Sequence, residues 1–214
     1  PFGNRETEGI VVERVAQPER AGTLKTITKV LSPHVVATPA LLDLIDKAAD
    51  FYCCNPWDLV RSAIPPRVAG VDKEIPVVRQ ASHVSKSRKP TVFQSFKPFV
   101  SSHEQISDIV SDFKNLGSVL IVAPDERDVE KIVESLSSTF NNVLKLSSAS
   151  TREERYRNFL LSMRLDSSIV VGTRSAIFAP VRNLAAIIIY KESSPDHYEL
   201  RAPGWNSSAI AKMR

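Results

Sequence analysis

Apolar positions in this chain follow two spacings, and the two divide it. From residue 99 onward the spacing alternates between helix and strand. Ile106, Ile109, Val110 and Phe113 fall on one helical face after Ser101 or Ser102, which can cap the helix. Val119–Val122 reads as a strand, and Asp125 opens a helix with Val129, Ile132, Val133 and Leu136 inward. Val143–Leu146 is a short strand. Thr151 followed three residues later by Glu154 has capping-box spacing and starts a helix running to Met163. Two apolar runs close the series, Ile169–Val171 and Ala185–Ile189, short and rich in β-branched residues. Such runs predict central strands of a covered parallel sheet. Strands separated by helices predict βαβ units.

The N-terminal part reads differently. Ile10-Val11-Val12 and the alternating Leu24–Leu31 predict two strands. Thr38-Pro39 predicts a capped helix with Leu41, Leu44, Ile45, Ala48 and Ala49 on its apolar face. Asn55-Pro56 predicts a second helix with Trp57, Leu59, Val60 and Ala63 as core candidates. Residues 1–66 thus form a small α+β unit. Residues 67–98 have weak periodicity and a basic tilt and read as a linker. Residues 99–214 form the α/β lobe.

Composition narrows the function classes. The 214 residues carry a net charge of +4, which permits nucleic-acid binding without requiring it. No apolar run is long enough for a membrane helix, and no signal peptide stands at the start. The two cysteines, Cys53 and Cys54, are adjacent, so they offer neither a disulfide framework nor a zinc site. They are expected to pack in the core of a cytoplasmic protein. Asp43, Asp46 and Asp50 read as a solvated helix face rather than a metal site. No grouping suited to nucleophilic catalysis stands out.

The seven glycines carry a specific negative: none is followed by lysine, so a phosphate-cradling P-loop is excluded. Gly172-Thr173-Arg174-Ser175 follows a strand, where a hydroxyl, main-chain N–H groups and a guanidinium can grip a DNA phosphate. A solvated turn is the plainer reading of that spacing. Phe93, Phe96 and Phe99, interleaved with Lys97, are expected to dock on the core rather than stack on bases.

Several segments resemble the replication-restart DNA helicases of the primosomal protein N′ (PriA) family. Val170–Pro180 resembles that family's GTRSA-(L/I)-F-x-P motif. Glu154-Arg155 sits where the family has an S-E-R signature, and Val122–Asp125 is similar to its V-P-E motif. Pro1-Phe2-Gly3, Gly9–Val12, Leu24-Lys25 and the stretch from Ala48 to Pro66 resemble its 3′-end DNA-binding domain.

The departures are equally specific. The family's Walker A loop would fall between Phe93 and Ser107, where this chain reads FQSFKPFVSSHEQIS. Its acidic Walker B reads Tyr190-Lys191-Glu192-Ser193 here, and its R-Y-H-A-R-D segment reads Asn206–Ala211. The resemblance therefore implies a RecA-like lobe with degenerate helicase motifs, preceded by a small β-rich 3′-end DNA-binding domain lacking its first strands. It implies DNA contacts at Gly3, Lys25, Thr173 and Arg174, no catalytic residues, and no cofactor in this chain. The family's ATP with magnesium lacks its carboxylates at Tyr190, Lys191 and Glu192, and the family's zinc module would lie past Arg214. The implied function is recognition of abandoned replication forks and primosome assembly. Forked or single-stranded DNA and helicase-loading proteins are the implied partners, with no membrane. Two alternatives stay open: an active ATP-dependent 3′-5′ helicase, and a protein scaffold that no longer binds DNA.

Overall fold

The computed structural model describes residues 7–17, 22, 26–77 and 91–214. Three helices come first: α1 (Pro39–Tyr52), α2 (Pro56–Ala63) and α3 (Ala69–Glu74). The alternating part follows as α4 (Ser102–Lys114), β1 (Ser118–Val122), α5 (Glu126–Ser137), β2 (Val143–Leu146), α6 (Arg152–Arg164), β3 (Ile169–Gly172), a 3-10 turn at Arg174–Phe178, and β4 (Leu184–Ile189). A small hairpin of β5 (Tyr198–Glu199) and β6 (Trp205–Asn206) leads into α7 (Ser207–Met213).

Strands β1 to β4 form one parallel sheet in the order β2-β3-β1-β4. The protein is mixed α/β, as the alternation predicts. Helix starts follow their side-chain caps. Thr38 accepts from the N–H of Leu41, Asp125 from Asp128 and Thr151 from Glu154. Each satisfies an otherwise orphan donor of a first turn.

Successive residues of β1 face opposite sides of the sheet. Val119 and Ile121 meet Ile106 and Val110 of α4 and Val129, Ile132 and Leu136 of α5. Leu120 and Val122 face the other layer, built from α6, the 3-10 turn, Trp205 and Ile210. The apolar faces of α1, α2 and α3 belong to that same cluster, so the N-terminal helices and the sheet share a core.

Several expectations are corrected. The described residues 7–17 and 26–31 form no strand, and Val11, Val12, Val15, Ile27 and Val30 are exposed. Of the Ile10–Val12 run, Ile10 is partly buried against the core while both valines face outward. The segment 67–98 is not linker throughout, because α3 lies in it and is fastened to α6. Asp72 accepts from the Tyr156 hydroxyl at 2.7 Å and from Nε of Arg67 at 2.6 Å, and Arg157 pairs with Glu74 at 2.7 Å. A helix of six residues is too short to show periodicity.

Trp57, in the first turn of α2, is half exposed rather than core. Cys53 adopts a left-handed conformation (φ 50°) to close α1, which turns its side chain outward, while Cys54 is half-buried. Of the three phenylalanines only Phe96 docks, since Phe93 and Phe99 are exposed. β3 is fully buried, but β4 is an edge strand and only half-buried along its length.

Candidate nucleic-acid interface and the strand-end rim

In open parallel sheets, ligands bind beyond the carboxyl ends of the strands. Here that rim is formed by Ala123–Asp125 after β1, Thr173 and Arg174 after β3, and Tyr190–Glu192 after β4. Tyr190 is 5% exposed, and its hydroxyl donates to Ser102 at 2.9 Å. Its ring stacks on Phe96 at a centroid distance of 5.9 Å. Its carbonyl accepts from Nε2 of buried His197 at 2.9 Å, whose Nδ1 then accepts from the Ser207 hydroxyl, also at 2.9 Å. A carbonyl only accepts, so Nε2 carries the proton.

Lys191, held in a left-handed conformation (φ 51°), donates to both carboxylate oxygens of Asp128, at 2.9 and 2.7 Å. That hydrogen-bonded pairing raises its pKa. Glu192 accepts from the Ser208 hydroxyl at 2.8 Å. Nearby, the Gln105 side chain binds the N–H and carbonyl of Lys97 and the carbonyl of Val100. It fixes an irregular strap before α4.

These residues do not fit a magnesium nucleotide. A phenol and an ammonium stand where carboxylates would hold the metal, and the ammonium already has its counter-ion. Among the described residues no group of three or more His, Cys, Asp or Glu side chains is placed to hold a metal.

Gly172 is a packing residue. A Cβ there would lie 2.0 Å from the carbonyl oxygen of Leu146 on β2 and 2.6 Å from the Ala176 Cβ. Thr173 is half-buried, and its carbonyl accepts from the N–H of Ala176 to start the 3-10 turn. Arg174 is not a free surface cation. Its Nε and one terminal nitrogen reach Glu199 Oε2 at 3.1 and 3.0 Å, and the other donates to the Asp196 carbonyl at 3.4 Å. Burial pushes the Glu199 carboxyl up, but the Arg201 N–H and the Arg174 guanidinium outweigh it and hold its pKa below the usual value.

Gly3 and Lys25 lie outside the described residues. The sequence reading missed Asp128, His197 and Glu199. Asp128 had a local signal, an acid in the first turn of α5. Glu199 had none, lying 25 residues from its arginine.

The Arg174–Glu199 pair is partly exposed, at 35% and 20% for the two side chains, so solvent screens it. Arg174→Ala is expected to lower stability by about 0.5–1 kcal/mol in urea unfolding. An unchanged midpoint would mean that the pair does not form in solution.

A four-stranded parallel sheet, with strand-end residues closed on one another and helices on both faces, defines a mixed α/β protein. A family model described as "3'DNA-binding domain (3'BD)" matches residues 1–65. "Probable replication restart protein PriA" of Mycobacterium tuberculosis is 27% identical over 237 aligned positions, which cover all of this chain and 36% of that protein. "Replication restart protein PriA" of Rickettsia conorii is 24% identical over the whole chain and 36% of its own length. The Helicobacter pylori protein of the same name is 22% identical over 97% of this chain. The chain is similar to PriA proteins along its whole length and spans about a third of the length of these relatives.

Among the described residues no helix is long and apolar enough to cross a membrane.

Proposed function

We propose that this chain serves replication restart by binding DNA at a 3′ end, and that its α/β lobe acts as a scaffold without turning over ATP. The observation that carries the second half is the Lys191–Asp128 pair beside buried Tyr190, at the rim where a motor of this fold holds its metal. The match of residues 1–65 to a 3′ DNA-binding domain and the names of the relatives support the first half. On this reading Gly3 allows close approach of the terminal nucleotide, and Lys25 neutralises a phosphate. Branched DNA and the proteins that load a helicase onto it are the proposed partners.

The test joins two measurements on one preparation. ATP turnover should stay at the buffer level with and without forked DNA, and DNA-stimulated phosphate release would refute the scaffold reading. In a salt titration against a fork with a free 3′ end, Lys25→Ala should bind more weakly. It should also flatten the log–log slope by about 0.7–0.9, one phosphate contact. Equal slopes for variant and wild type would leave Lys25 without that role.

A further inference from the structure

A cleft of about 270 Å³ lies between the end of α2, the first turn of α6, the 3-10 turn and the β5–β6 hairpin. Its lining residues include three arginines, Arg61, Arg155 and Arg201, against a single acidic residue, Glu199. That carboxylate is already engaged. Its Oε2 accepts from Arg174 and its Oε1 from the N–H of Arg201. Two lining residues carry a buried donor without a hydrogen-bond partner among the described residues: Nε1 of Trp205, a residue only 1% exposed, and Nε of Arg155. Neither Arg61 nor Arg155 has a carboxylate partner among the described residues.

Folded proteins rarely leave buried donors unpaired, and an indole N–H can only donate. Water in a cleft of this size would supply acceptors, since a water takes about 30 Å³. It would not neutralise the guanidinium charge. An oxyanion with several acceptor oxygens does both.

We infer that the cleft is a binding site for a phosphate group, held by Trp205 Nε1–H, Arg155 and Arg61. The phosphate is either a link of a nucleic-acid strand or a free anion. The inference does not depend on the role proposed for Gly3 and Lys25.

Trp205 reports on its own site. The chain has two tryptophans, and Trp57→Phe leaves the emission of Trp205 alone. That variant, as the full chain, is titrated with inorganic phosphate and separately with a circular single-stranded oligonucleotide, which has phosphodiesters but no 3′ end. A saturable change in Trp205 emission is expected with at least one probe. Response to the circle alone identifies a strand phosphate, and response to phosphate alone a small anion. Arg155→Gln should weaken the response about tenfold or more. Arg61→Gln, at an exposed position that cannot upset the fold, should weaken it severalfold. No saturable response to either probe, or responses that both variants leave unchanged, would overturn the site. Because the circle lacks a 3′ end, neither result bears on 3′-end binding.

Discussion

Gly172→Ala should destabilise the protein by about 3 kcal/mol, far more than its neighbours in the same motif. An added methyl would meet the Leu146 main chain at 2.0 Å and the Ala176 side chain at 2.6 Å. Neither can swing aside: Leu146 is paired with Gly172 in the sheet, and Ala176 is buried in the 3-10 turn. β2 would have to move away from β3 or the turn would have to lift off the sheet. Ser175→Ala, exposed and three residues on, should stay within about 0.5 kcal/mol of wild type. Urea midpoints of the two variants check this. A Gly172→Ala protein as stable as wild type would mean that β2 and β3 do not meet so closely.

The second large effect concerns α3. Asp72 is 8% exposed and takes hydrogen bonds from Tyr156, itself 1% exposed, and from Arg67. Burial alone would raise its pKa, but the bonds from Tyr156, Arg67 and Ser32 outweigh it and hold the carboxyl below its ordinary 3.8. The same burial, with the Asp72 bond, pushes the Tyr156 phenol up to about 12. Asp72→Ala leaves a buried hydroxyl and a half-buried guanidinium without their acceptor, and should cost about 2–4 kcal/mol.

The sign of the pH effect follows. A carboxyl with a lowered folded pKa stabilises fully above its unfolded value and loses that contribution as pH falls through the folded one. Wild-type stability should therefore drop on acidification below about pH 4, and Asp72→Ala should show a shallower acid limb. Parallel acid limbs in the two proteins would assign the drop to other carboxylates.

Legibility in the sequence tracked the length scale of the cause. Helices with side-chain caps and strands buried on both faces were readable, because Thr38, Asp125 and Thr151 act within one turn and Ile169–Val171 is apolar on both sides. Strand order was not. The Ala185–Ile189 run reads as central, yet β4 stands at an edge, and pairing order is a long-range property. Val11, Val12, Ile27 and Val30 are exposed, although the apolar runs that hold them read locally as strands.

At the rim, the sequence exposed the missing carboxylates but not what replaced them. The partners of Tyr190, Lys191 and Glu192 lie 88, 63 and 16 residues away. For the same reason Arg174 reads as a surface cation until Glu199 is brought beside it.

The clasps along the strand ends have a mechanical consequence. Tyr190 ties β4 to the start of α4, Lys191 ties it to α5, and Glu192 ties it to α7. The main-chain N–H of Tyr190 is bonded to Val122, adding a fourth fastening to β1. Strain applied at one end of the sheet is thus shared among three helices and a neighbouring strand.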